Sequence, residues 1–329
     1  MLMSIRRILQ LCVLLVIALL LFNCSDGSGG GTVETTKPPE PGEPLSLISP
    51  ARMASLPTGD LVVSDYIEQK FCLVDQSNLD VTTCYPAKGR PTGVVYADYG
   101  GGSFYVGNES VGSVDIFDIN GTFLGHLGGQ PNIFGQVNDL AIDEDNQRIF
   151  VLDSKDKNVR IFNFNGSEIG VAFDSSDLKQ PIAITFDNST GYVLVSDFGD
   201  LGDPSTTSDD IPPQIRIFDA NLDPIVQIDA IKAVIRSGSL GSSISTSVLQ
   251  GLSVFNGYVF VADSLSGEIQ IYNLATKVAE TPIGGLGTET GKLFYPLDVY
   301  VDPTSKDIFV ADNRNSRVSV FRGAGEVGP

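Results

Sequence analysis

The chain has 329 residues, with 21 Lys and Arg against 40 Asp and Glu, one His, four Cys and no Trp. A net charge of −19 gives no basic footprint for phosphate, so nucleic acid is excluded as a partner.

At the N-terminus Arg6 and Arg7 precede an apolar run over residues 8–22, broken only by Gln10 and followed by no positive stop-transfer cluster. The run ends in Leu21-Phe22-Asn23-Cys24, which resembles the lipobox of bacterial lipoproteins. That resemblance implies a signal peptide over 1–23 that is removed, with Cys24 carrying diacylglycerol and an acylated new amino terminus. Ser25, rather than Asp, follows the Cys, which by the same resemblance places the protein at the outer membrane of the cell envelope, with the periplasmic or surface side open. The alternative is an uncleaved signal anchor with an incidental Cys.

Loss of residues 1–23 takes two arginines and no acids, leaving 19 basic against 40 acidic residues, a net −21. Anionic lipid then repels the folded part, and membrane contact falls to the acyl chains, each buried CH₂ adding roughly 0.8 kcal/mol. The charge serves solubility, or attracts cationic partners and divalent ions. Residues 24–44, Gly-rich then Pro-rich with almost no large apolar side chains, read as a flexible tether.

From about residue 45 to the C-terminus one phrase recurs six times: apolar β-formers, a small residue, then Asp or Asn. It ends at Asp65, Asn108, Asp153, Asp197, Asp263 and Asp312, with spacings of 43, 45, 44, 66 and 49 residues. A period of this size signals one supersecondary unit repeated around an axis. Each unit has a short first strand, often opened by Pro, the Asp-terminated second strand, and a third such as VRIFN. Asn-Gly at 120–121 and 165–166 then turns into a weak fourth strand. The recurring Asp is suited to accept hydrogen bonds from the backbone of the tight turn after it. Four-stranded antiparallel units of this kind predict an all-β, six-bladed β-propeller over 45–329.

The phrases over 149–162 (IFVLDSKDKNVRIF) and 308–321 (IFVADNRNSRVSVF) resemble NHL repeats, a family that builds six-bladed propellers. After Arg322 only GAGEVGP remains, too Gly-rich for a fourth strand, while residues 45–48 precede blade 1 with no blade of their own. The ring is therefore expected to close through an N-terminal strand at 45–48, outermost in blade 6.

With Cys12 in the signal segment and Cys24 lipidated, Cys72 and Cys84 are left on either side of a turn centred on Asn78, where antiparallel strands face them across a bridging distance. An exported protein allows the disulfide.

Two insertions account for the 66-residue spacing: 199–213, between strands two and three of blade 4, and 230–250, between blades 4 and 5. These connections share one face, the one where propeller ligands usually bind, and the first carries Asp200, Asp203, Asp209 and Asp210. The starts of the first strands line the channel mouth with Arg52, Gly93, Asp139, Ala183, Gly251 and Asp298. Asp139 and Asp298 lie across the channel and are a candidate calcium site, as in the calcium-dependent lactonases of related six-bladed folds. The one His, His126, falls in an outer strand and reads as a surface residue. With no spare Cys, a zinc site of N/S ligands cannot be assembled, and no Ser–His–Asp arrangement is apparent.

The sequence thus reads as a lipid-anchored, extracytoplasmic propeller that binds a protein, peptide or glycan through the face of the two insertions, with no catalytic residues assigned. The runner-up is a cation-dependent hydrolase or lactonase at the channel.

Overall fold

The computed structural model describes residues 45–172, 178–200, 211–221, 226–233 and 247–327. Six antiparallel sheets form the blades, each built in chain order from strand one at the centre outward. Blade 1 comprises Pro50–Ser55, Asp60–Asp65, Lys70–Asp75 and Val81–Pro86, and blade 2 Pro91–Ala97, Ser103–Asn108, Ser113–Asp118 and Phe123–His126. Blade 3 runs Val137–Asp143, Arg148–Asp153, Asn158–Asn163 and Glu168–Ala172; blade 4 runs Pro181–Asp187, Tyr192–Asp197, Gln214–Asp219 and Val226–Lys232. Blade 5 ends in a two-residue fourth strand after Leu249–Phe255, Tyr258–Asp263 and Glu268–Asn273, and blade 6 has Pro296–Val301, Ile308–Asp312 and Arg317–Phe321.

Strand two is buried from end to end because apolar neighbours cover both its faces, as in VLVSD and IFVAD. Its side chains alternate between the two flanking blade interfaces. Six apolar clusters result, one between each pair of neighbouring blades. Phe71 and Phe104 fill the joint between blades 1 and 2, and Phe150, Val195 and Phe218 that between blades 3 and 4. Phe309 and Val318 pack against Leu61 and Val63, which closes the ring.

The recurring Asp does more than hold its own turn. Asp65 accepts the backbone N–H groups of Ile48 (2.7 Å) and Ser49 (3.2 Å), which lead into strand one. Asp153 takes those of Gly135 and Gln136, Asp197 those of Lys179 and Gln180, and Asp312 that of Phe294. The turn after strand two is held as well, through Glu68 N and Asp156 N. A hydrogen bond to a charged group contributes about 1.5–3 kcal/mol, so each carboxylate fixes where its blade begins.

That device explains how the closure differs from expectation. Residues 45–48 form no strand beside Arg317–Phe321, and blade 6 has three strands among the described residues. Leu47 and Ile48 do for blade 1 what Phe134 and Leu178 do with the residues after them in blades 3 and 4: an apolar side chain enters the interface while the next N–H groups bind the Asp. Backbone committed to that bend cannot also run as an extended edge strand. The seam is held instead by Leu47, by Asn313 donating to Ser49 and Pro50, by Ser316 donating to the Ile48 carbonyl, and by Arg322 donating to the Gln76 and Ser77 carbonyls. The Cys72–Cys84 disulfide is formed between directly opposed residues of strands three and four.

Candidate functional site

The channel is built from the starts of the six strands one, and its occupant comes from the chain itself. Arg52 of blade 1 lies across it, 7 % exposed, with Nε 3.5 Å from Asp139 Oδ2. Its Nη2 donates to the Ile182 carbonyl of blade 4 (3.2 Å) and its Nη1 to the Leu297 carbonyl of blade 6. The six equivalent positions read Arg, Gly, Asp, Ala, Gly, Asp around the ring. Each Gly stands beside the Asp of the next blade: a Cβ on Gly251 would lie 1.8 Å from Asp298 Oδ1, and one on Gly93 2.7 Å from the Asp139 Cα. Gly251 makes room for the Asp298 carboxylate and Gly93 for the backbone at Asp139 and Leu140, and each carboxylate then reaches forward. Asp139 accepts Ile184 N of blade 4 (3.0 Å), and Asp298 accepts Met53 N of blade 1 (2.7 Å).

Burial pushes the Asp139 carboxyl above the usual carboxylate range, with Arg52 opposing. Burial also lifts Asp298, to about 7, with Arg52 opposing and Asp139 adding to the rise. Two acids and one guanidinium therefore share the layer, and Arg52 stands where a bound cation would have to sit. Among the described residues no three His, Cys, Asp or Glu side chains converge as metal ligands.

The Arg52 layer divides the channel. On the face of the strand two–three turns lies a chamber of about 90 Å³ with Arg52 at its base. Blade 1 contributes Tyr66, whose hydroxyl donates to Glu109 of blade 2 at 2.5 Å; Gln136 of blade 3 donates to the same carboxylate at 3.2 Å. Burial, then Glu109, pushes the Tyr66 hydroxyl far above its ordinary range. Asn138, Gln250 and Asn313 bring amides from blades 3, 5 and 6. Tyr295 of blade 6 completes the wall with φ at +60°, a left-handed backbone that an aromatic residue adopts only under constraint. Its hydroxyl is raised to about 12, chiefly by burial, with a hydrogen bond from Ser264 opposing.

Of the acidic-loop residues, Asp200 is described: it pairs through its backbone with Ile211 at the base of the 199–213 insertion, on this same face. Asp203, Asp209 and Asp210 lie outside the described residues, as do Cys24 and everything before residue 45. The second insertion is shorter than the sequence indicated, because Val226–Lys232 forms the fourth strand of blade 4 and Leu249 already opens blade 5. His126 also departs from the surface reading. It is half-buried, its Nδ1 2.8 Å from the buried Asp115 and its ring edge-on to Phe123, remote from the channel.

Sequence reasoning missed Tyr66, Glu109 and Asn313, although each directly follows the recurring Asp or Asn. It also missed Asn138 and Gln250, each one residue before a channel position. The period that located the blades had already aligned these columns.

The NHL repeat family model matches residues 295–321, the span of blade 6 that carries the sequence resemblance. Among solved structures, hydrazine synthase of Kuenenia stuttgartiensis is similar, with a TM-score of 0.60 and 14 % identity over 89 % of this chain and 80 % of that one. At that identity the likeness concerns the fold. A comparison with curated proteins finds no match.

Proposed function

We propose that this protein is a lipid-anchored module of a bacterial cell envelope, probing its surroundings with a rigid ring and binding a protein, peptide or glycan at the face bearing the small chamber. The observation that carries the reading is convergence: blades 1, 2, 3, 5 and 6 each send polar or aromatic side chains to one mouth, and blade 4 adds Ile182 and the base of its insertion. NHL propellers commonly serve protein interaction, and rigid strands carrying variable loops suit that work. Anchoring through Cys24 at the outer membrane, with 24–44 as tether, belongs to the same proposal and rests on the sequence.

The hydrolase alternative fits the geometry less well. Asp139 and Asp298 each hold a neighbouring blade by its backbone, and Arg52 already neutralises part of their charge. A calcium titration showing neither heat nor a shift in melting would remove it.

Crosslinking and affinity capture from intact cells test the main reading, comparing the full protein with a version lacking 199–213 and with Tyr66→Ala. A partner captured by the full protein and lost from both variants supports docking at this face. Retention by both variants, each folded, overturns it. Cys24→Ser tests the anchor separately, since the protein should move from the membrane fraction to the soluble one.

A further inference from the structure

The small chamber holds an unfinished set of hydrogen bonds. Three amide side chains of its wall spend their N–H groups on the protein: Gln136 of blade 3, Gln250 of blade 5 and Asn313 of blade 6. Gln136 donates to Glu109, Gln250 to Ser264 at 3.5 Å, and Asn313 to Ser49 and the Pro50 carbonyl. Among the described residues nothing donates to their side-chain oxygens. Gln250 is the sharpest case, since it is only 7 % exposed and lines the chamber. A buried amide oxygen without a donor costs free energy unless the cavity's occupant supplies one. Asn138, on the same wall, shows the ordinary arrangement: its oxygen accepts Ser154 Oγ at 2.9 Å.

The charges of the chamber are already answered. Arg52 at the base donates to the Leu297 and Ile182 carbonyls and faces Asp139. Glu109 accepts from Tyr66 and Gln136, with Arg90 Nε 3.6 Å away. A cation would meet the guanidinium at the base, and an anion would meet three open acceptors. The ligand that fits is therefore uncharged and rich in donors. Between the amides the wall is carbon, from Ala51, Ile182, Leu297 and the Tyr295 ring.

Position narrows the class further. Blades 3 and 6 stand opposite each other in a ring of six, so Gln136 and Asn313 belong to opposed walls, with Gln250 beside Asn313. A peptide amide donates from one edge. A pyranose carries hydroxyls around its rim, each both donor and acceptor, while its C–H faces suit an apolar wall. The chamber of about 90 Å³ takes on the order of six waters at about 15 Å³ each, the scale of one sugar ring.

We propose that the small chamber binds one uncharged pyranose, the end residue of a glycan, with its hydroxyls donating to Gln136, Gln250 and Asn313. This rests on the docking reading above and commits it to a sugar.

Saturation-transfer NMR on the full protein tests it, with the methyl glycosides of glucose, galactose, mannose and N-acetylglucosamine as probes and acyclic sorbitol as the comparison. The expected result is saturable transfer to at least one glycoside and none to sorbitol. Gln250→Leu should weaken that binding about fivefold or more, the scale of one lost hydrogen bond. Gln136→Met, at a half-buried position, should do the same and keeps the test decisive if Gln250→Leu does not fold. Silence from all the glycosides overturns the proposal and leaves water as the chamber's occupant. So does equal transfer to sorbitol, or unchanged binding by a folded variant. If a protein partner is still captured in a Tyr66-dependent way while the sugars are silent, this inference falls and the docking reading stands.

Discussion

Blades 1 and 2 fasten their outer strands at the same rung by different chemistry. In blade 1 Cys72 faces Cys84 across strands three and four, and the two are joined by a disulfide. In blade 2 the same rung holds Asp115 opposite His126, joined by a 2.8 Å contact. The contrast extends inward to strand two. In blades 5 and 6 this strand-three position is a donor: Gln270 donates a hydrogen bond to Asp263 (2.7 Å), and Ser319 one to Asp312 (2.8 Å). Blade 2 reverses the roles, with Asn108 on strand two donating to Asp115 on strand three. One buried carboxylate is kept per blade, but its strand is not fixed. In blades 2, 5 and 6 this tie is charge-assisted and runs in either direction.

The comparison can be broken most severely at its covalent side. Replacing Cys72 and Cys84 by Ala should lower stability by about 3 kcal/mol, the scale of closing a short loop. Urea midpoints measure this; a loss under about 1 kcal/mol would show that blade 1 relies on packing alone.

Next comes the role reversal. Asn108→Asp would set a second buried carboxylate against Asp115, where the amide now lies at 3.0 Å. Two such acids cannot both ionise cheaply, and about 2 kcal/mol should be lost at pH 8. Protonation relieves the clash, so the deficit should shrink as pH falls to 5. Adding Asp115→Asn restores one donor and one acceptor in the order used by blade 5. A double-mutant cycle should then show a coupling of at least about 1 kcal/mol, and strict additivity would refute the exchange.

A further contrast sets Asp115, satisfied by Asn108, Ser113 and His126, against Asp298, whose carboxyl burial lifts to about 7. An acid with a folded-state pKa above its unfolded value binds more protons when folded. Its contribution is present in full below the unfolded value, near 4, and is lost as pH rises through about 7. Asp298→Asn removes that loss and keeps an oxygen for Met53 N. Relative to wild type it should gain on the order of 1–2 kcal/mol between pH 5 and pH 8. Parallel pH profiles for the two proteins would show that Asp298 is already ionised comfortably.

How much of this was legible follows from what the period encodes. The Asp at the end of strand two and the apolar residues before it recur because every blade repeats the same burial. Six interfaces could therefore be foreseen, and Cys72 with Cys84 fell symmetrically about Asn78. The closure was misjudged at 45–48 because length and hydrophobicity suit a strand, whereas the bend into Pro50 is imposed by Asp65, 17 residues from Ile48. The channel trio was found from alignment of the strand starts, but not that Arg52 would lie across it, since its carbonyl partners come from blades 4 and 6. The small chamber's residues escaped because they differ from blade to blade: variation in an aligned column looks like noise until the ring turns each copy to face the others.

His126 is the gentlest test of the blade 1–2 comparison. A lone His in a short strand after Asn-Gly has every sequence mark of an exposed residue, and its side chain is in fact about a quarter exposed. Its value lies underneath, in Asp115, which is 1 % exposed and also held by Asn108 and Ser113. Removing the imidazole takes one of three donors and lets water reach the carboxylate, so His126→Ala should cost about 1 kcal/mol, well below the disulfide. The loss should be local. Amide exchange should quicken over Phe123–His126, which has only strand three to pair with, while the strand-two amides of blade 2 stay protected. Uniform quickening across the blade would mean that the tie supports the interface with blade 3 rather than the outer strand, and the likeness between this pair and the blade 1 disulfide would fail.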